Sequence, residues 1–410
     1  MEPSADSRRV LLLLNLGHAL DHMGILIFPT AVLAMGDAFD RSYGELLTLS
    51  LGGFIAFGAG SLPAGWLGDR WSRRNMMVAF FFGMALAATL IGVADSAGML
   101  AAGLTLLGLF AAIYHPVGIA MLVAHAGKLG REIGINGVCG NLGVAAAPLL
   151  TAAMAATLGW RSAFFLFAAV SALGGVFFLA CVRDQRTVGT TRRGGDFIVP
   201  RPAFLRAVVV MILVSIAGGV VFNATTVAMP KVFDERLAGL HLDAFVVGAL
   251  VSAVFAFGAM AQLIVGWLVD RMPLKRVFVP LSLLQAPCLL LAVGAGGWSM
   301  VALAALAMFA IFGQMTINDS IVARYTSDAW RARAFAARYL ITFAASATAV
   351  PLVAFLHDGS GDFRTTFMVL GGLGAIVFLA SLVFPAGRPE RRVDLGSAPL
   401  PPTLRPQAAE

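Results

Sequence analysis

The chain has 410 residues, 59% of them hydrophobic and 12% charged, and a formal net charge of +7. Ordinary soluble domains carry roughly 45–50% apolar and about 25% charged residues, so this composition belongs to a membrane protein and argues against a soluble domain. The basic residues fall in short clusters between apolar segments, where membrane topology explains them better than a nucleic-acid partner does.

Arg8 and Arg9 precede the apolar run that starts at Val10, as in a signal peptide. The apolar character continues past Pro29 with no small-residue cleavage site, so the segment reads as a retained first span. A span needs about 20 apolar residues. By that measure spans are predicted at 10–35, 43–68, 75–94, 98–125, 133–158 and 162–182, and again at 205–230, 243–269, 276–296, 299–324, 333–356 and 365–385. The divisions are then a tail at 1–9, a six-span bundle at 10–182, a linker at 183–204, a second bundle at 205–385 and a tail at 386–410. The linker region holds Arg183, Arg186, Arg192, Arg193 and Arg201 with glycines and prolines, too polar to span. The proline-rich last tail has few apolar residues and is expected to be disordered. Cys139, Cys181 and Cys288 lie inside apolar runs, without the spacing of a disulfide framework or a zinc site.

With the N-terminus inside, the outer turns carry only Arg41, Arg161, Lys231, Arg236 and Arg364 of the 29 Lys and Arg. Both termini are therefore expected on the cytoplasmic side of a cell membrane. The two bundles are also copies of each other. Gly65-Trp66-Leu67-Gly68-Asp69-Arg70 returns as Gly266-Trp267-Leu268-Val269-Asp270-Arg271, and Pro148 pairs with Pro351. The fold class is an all-α membrane protein of twelve transmembrane helices in two pseudo-symmetric six-helix bundles.

Ionisable groups inside a membrane span are costly and mark functional candidates. The first span carries Asn15, His18, Asp21 and His22. His18 and His22 are four residues apart and Asp21 is three from His18, so His18 shares a helix face with either. Asp21 with His18 or His22 is the expected proton-coupling group, because a histidine beside a carboxylate changes charge near neutral pH. The fourth span offers Tyr114 and His115, the seventh Asn223, Thr225 and Thr226, and the tenth Thr316, Asn318 and Asp319. Arg338 in the eleventh span lies at a depth to pair with Asp319.

The repeated block resembles the loop motif of the major facilitator superfamily, Gly-x-x-x-Asp-Arg-x-Gly-Arg-Arg. Gly65, Asp69, Arg70, Arg73 and Arg74 match it, Ser72 replaces a glycine, and Gly266, Asp270 and Arg271 repeat its core. The resemblance covers the chain from Arg9 to Pro385. It implies two homologous halves related by an axis along the membrane normal, with a cavity lined by the first, fourth, seventh and tenth helices near the midplane. Those are the spans where Asn15, Tyr114, His115, Asn223, Thr226, Thr316, Asn318 and Asp319 collect. It also implies a gate, in which Asp69 meets a helix end or an arginine such as Arg331 or Arg333. The second copy departs from the first after Arg271, so Asp69 is expected to be the stronger switch.

Gly134, Gly143 and Pro148 partly follow a fifth-span motif associated in the family with proton-coupled drug antiporters, and physically they allow close packing and a bend. Tyr114-His115-Pro116-Val117-Gly118, with the stretch from Asn15 to Pro29, is similar to fosmidomycin-resistance-type exporters. The expected function is proton-coupled efflux of a small organic solute by alternating access, by a monomer in the lipid bilayer. With no nucleotide-binding loop, the proton gradient rather than a cofactor drives it. One alternative is an importer of a metabolite or a copper-like metal, with His18, His22, Met23, His115 and Met121 as donors. Another is a membrane sensor or enzyme without transport. No catalytic nucleophile and base set supports an enzyme, and no resident metal site is expected.

Overall fold

The computed structural model describes residues 5–127, 129–183, 197–198, 200–326, 328–386 and 390–391. Most of the expected linker and nearly all of the last tail lie outside these residues. Among the described residues, twelve helical stretches are long and apolar enough to cross a membrane. In the first half they are Asp6–Ala34, Tyr43–Arg70, Arg73–Gly92, Ala97–His125, Arg131–Leu158 and Arg161–Cys181. In the second half they are Arg201–Arg236, Ala244–Arg271, Leu274–Leu291, Gly297–Tyr325, Ala337–Ser360 and Arg364–Val383. The seventh span runs further than the sequence predicts at both ends: it starts at Arg201 with a proline in its first positions, where no N–H is missed, and it continues through Pro230 to Arg236. A two-residue antiparallel pairing joins Phe197 and Ile198 to Arg391 and Glu390.

Prolines shape three of these spans in different ways. Within the fourth span, Pro116 lies in a π-helical turn, Tyr114–Gly118, which absorbs the missing N–H and re-aims His115. In the eleventh, the helix stops at Ala347 and resumes at Ala349, just ahead of Pro351. The fifth helix instead runs unbroken through Pro148, from Leu129 to Leu158. There the N–H of Leu149 reaches Ser252 Oγ on the eighth span at 2.9 Å, so the turn that Pro148 weakens is tied to the other half.

Lipid offers no hydrophobic drive for helices to associate, so close approach has to come from small residues. A Cβ on Gly143 would lie 2.0 Å from the Ala19 carbonyl oxygen, which presses the fifth span onto the first, backbone to backbone. Gly108 meets the Gly53 carbonyl in the same way, joining the fourth span to the second. One apolar cluster crosses between the halves, with Leu26, Leu47, Val144 and Ala147 packed among Val227, Val251, Ala349 and Val353.

The arginine-rich end of the molecule is built by the repeat. Arg74 donates to the carbonyls of Leu179 and Val182, where the sixth span finishes. Its counterpart Lys275 donates to Leu382, where the twelfth finishes. A cation at a helix C-terminus satisfies orphan carbonyls and meets the negative end of the macrodipole. Arg70 lies over Trp66 at 4.8 Å and Arg271 over Trp267 at 4.2 Å, the same stack in each half.

Candidate functional site

Six residues expected to be functional, Asn15, His18, Asp21, His22, Tyr114 and His115, come together where the first, fourth and fifth spans meet. Asp21 is wholly buried, and His18 is 8% exposed. The ring of His18 stacks on Tyr114 with centroids 4.8 Å apart, and its Nδ1–H donates to the Asn136 carbonyl at 2.7 Å. That bond leaves His18 Nε2 as an acceptor, so His22 Nε2–H donates to it at 3.2 Å. Asn136 also donates to Asn15 Oδ1 at 2.9 Å and to the Tyr114 hydroxyl at 2.8 Å, while that hydroxyl donates to the Leu14 carbonyl. Gly140 leaves the space for the imidazole, since a Cβ there would lie 2.7 Å from the His18 ring.

Asp21 does not pair with His18 or His22, as the first span's spacing suggests. Its Oδ2 lies 3.4 Å from His115 Nε2, on the fourth span. Neither carboxylate oxygen has an aligned hydrogen-bond partner. The correction has a physical cause. The i+3 and i+4 spacing places the three groups near one another on one helix, but the π turn around Pro116 swings His115 into the space that Asp21 faces. An isolated buried carboxylate costs several kcal/mol, and the imidazole beside Asp21 offsets part of that penalty.

The ligand nitrogens of His18, His22 and His115 lie within 4.8 Å of one another, and the bond from His22 occupies the Nε2 lone pair of His18. Met23 and Met121 pack in the apolar cluster that also holds Tyr114.

His115 also faces the second half. Its ring stacks against Tyr339 of the eleventh span at 6.1 Å and lies 6.0 Å from Phe343 and from Phe57. Arg338, next to Tyr339, is 4% exposed and contacts the Asp319 carboxylate, as the sequence anticipates. Asn223 donates to the Ser346 carbonyl, and Thr225 and Thr226 bond back to their own helix, so these polar groups are already satisfied. Thr316 lies at the second copy of the loop motif, 4.0 Å from where a Gly266 Cβ would stand.

At the motif itself, Gly65 and Gly68 make room for Pro116 and Val117, beside His115. Asp69 accepts from Arg73 at 2.7 Å and is 68% exposed; the side chains of Arg331 and Arg333 lie outside the described residues. Asp270 is 3.7 Å from Arg324. Gly134 has open space around it, whereas Gly143 has none.

At the opposite end the halves are joined. Asp358 accepts from Ser42 Oγ at 2.8 Å and from the Gly44 N–H at 3.1 Å. Beside it His357 bonds to Glu235 at 2.8 Å, and its ring is 5.1 Å from Tyr43. Several polar positions within the spans are absent from the sequence-based candidates, notably Asn136, Gln262, Gln285 and Gln314. Each is a polar residue inside an apolar span, so the rule that found His115 would have found them too.

Twelve spans in two related bundles, with ionisable groups buried at mid-span, define the class as a polytopic membrane transporter. The chain belongs to the Major Facilitator Superfamily, whose sequence model matches residues 14–240 and again 235–408. Its fold superposes on the D-xylose-proton symporter with a TM-score of 0.76 at 15% identity, covering 93% of this chain and 98% of that one. A bacterial homolog of the human lysosomal transporter Spinster, in an inward-facing and occupied conformation, gives 0.75 at 14% identity, covering 93% and 97%. Among curated proteins the chain is 29% identical over 148 residues to the tetracenomycin C resistance and export protein of Streptomyces glaucescens. It is 30% identical over 136 residues to puromycin resistance protein pur8 of Streptomyces alboniger. These alignments cover 35% and 32% of the chain and 27% of the length of each relative.

Proposed function

We propose that the protein exports a small organic solute in exchange for protons, and that the proton is carried by the Asp21–His115 pair. The observation that carries this reading is the wholly buried Asp21, without a hydrogen bond, 3.4 Å from an imidazole on another span. A charge change there alters the attraction between the first and fourth spans and, through the His115 ring, the contact with the eleventh. That is how proton binding biases alternating access. Export is supported by the two relatives whose names speak of resistance or export. The arginine-rich end, with Arg70, Arg73, Arg74, Arg271, Lys275 and Arg276, is assigned to the cytoplasm of a cell membrane. One chain holds both halves and the proton pair, so the monomer is taken as the working unit.

The test is resistance of expressing cells to a panel that includes tetracenomycin C and puromycin. Resistance that disappears with Asp21→Asn at equal protein level is the expected result. Sensitisation by the wild-type chain would overturn export, and full resistance in the variant would overturn the coupling role.

A further inference from the structure

A second polar site lies in the other half of the molecule. Ser215 of the seventh span, Gln285 of the ninth, Gln314 and Asn318 of the tenth, and Arg338 and Thr342 of the eleventh line one cleft. Gln285 is 1% exposed, and neither its amide nitrogen nor its amide oxygen has a partner. Gln314 Nε2, Asn318 Oδ1, Arg338 Nε, Thr342 Oγ1 and Ser215 Oγ are also buried without one. Buried polar groups are almost always hydrogen-bonded, so such a gathering calls for an occupant. On the same spans Asn223, Thr225 and Thr226 are satisfied, and His357 Nδ1, at the far end of the eleventh, is a lone exception rather than part of a gathering.

The cleft contains no uncompensated charge. Arg338 is balanced by Asp319, and no unpaired carboxylate faces in. A cationic solute would find no counter-ion, and an anionic one would have to displace Asp319 from Arg338. The free groups instead mix donors, from amide N–H and guanidinium N–H, with acceptors at Gln285 Oε1 and Asn318 Oδ1 and with two hydroxyls that serve as either. Phe222 and Ile311 supply apolar wall.

We propose that this cleft binds the cargo by an uncharged polar end rich in carbonyl and hydroxyl oxygens, carried on an apolar or aromatic body. The assignment rests on the transport reading above and adds the substrate class. It also divides the labour, with the proton in the first half and cargo recognition in the second. Arg338 in the cleft wall is followed directly by Tyr339, which stacks on His115, so the two sites meet within one turn of the eleventh span.

The experiment is equilibrium binding to the purified full-length chain in detergent, without a gradient, using three aromatic probes: neutral chloramphenicol, cationic tetraphenylphosphonium and anionic nalidixate. The neutral probe should bind more tightly than either ion. Gln285→Met and Gln314→Met, close in shape and unable to hydrogen-bond in the same way, should each weaken it by about tenfold or more at wild-type thermal stability. Should either variant fail to fold, Thr342→Val carries the same comparison. Tighter binding of an ion, no binding of the neutral probe, or variants that bind as well as wild type would each overturn the proposal, the last meaning that the cleft holds only water. Asp21→Asn should keep this binding while losing pH-driven transport. Failure of the coupling reading is thereby separated from failure of the cargo site.

Discussion

His115 stands between the two halves, with Asp21 3.4 Å from its Nε2 on one side and the Tyr339 ring 6.1 Å away on the other. No other described histidine touches both a wholly buried carboxylate and the opposite half. Replacing it by Gln keeps a polar group and removes both the imidazole and the aromatic stack. Transport driven by a pH gradient in proteoliposomes should fall by about 5–150-fold, the usual span of coupling between linked sites. Tyr339→Phe, which keeps the ring, should retain most of the activity, and Tyr339→Ala should not. Equal activity in His115→Gln would remove His115 from the coupling path.

The contact from Asp358 to Ser42 and Gly44 joins the halves at the end away from the arginines. Hydrogen bonds to a charged group contribute about 1.5–3 kcal/mol when shielded, and less at a partly exposed site. Asp358→Ala should therefore shift the population toward an opening at that end by roughly 5–30-fold, about 1–2 kcal/mol. Spin-label distances across that end, between the second and eleventh spans, report the shift. An unchanged distance distribution would mean the latch does not hold the state.

Gly143 and Gly134 belong to the same sequence motif but have opposite surroundings. A Cβ at 143 collides with the Ala19 carbonyl, whereas one at 134 meets nothing within 4 Å. Gly143→Val should cost about 1–3 kcal/mol or more through overpacking, read as a lower melting temperature in detergent and loss of transport. Gly134→Ala should change neither. Comparable effects at both positions would show that the motif acts through something other than helix approach.

Asp69 is 68% exposed and held by Arg73 alone among the described side chains. Exposed pairs of this kind contribute about 0.2–1 kcal/mol, so Asp69→Asn should leave the melting temperature nearly unchanged. If Asp69 works as a switch, the same variant should still alter the transport rate and the balance of conformations, and Asp270→Asn should alter them less. A variant with wild-type rate and wild-type distribution would reduce the motif to a topology signal.

The spans and the internal repeat were legible because each depends on local properties. A stretch long and apolar enough to cross lipid declares itself residue by residue, and a repeated Gly-x-x-x-Asp-Arg is visible at any distance along the chain. The Arg338–Asp319 pair was legible too, since depth in neighbouring spans can be counted. Partners across non-neighbouring helices were hidden. Spacing along the first span favoured His18 or His22 for Asp21, and the link from the tenth span's cleft to Gln285 on the ninth had no signal beyond a polar residue in an apolar run.

The sequence by itself determined a twelve-span membrane protein of two related halves, because span length, charge clusters and repetition act within each segment. Only the tertiary structure decided that Asp21 meets His115 and that six polar residues from four spans converge on one cleft. Those outcomes depend on how each helix is rotated about its axis and on the π turn that Pro116 imposes. Rotation is set by glycines meeting carbonyls on other spans, such as Gly143 against Ala19, and such contacts leave no periodic mark in a chain that is apolar nearly everywhere.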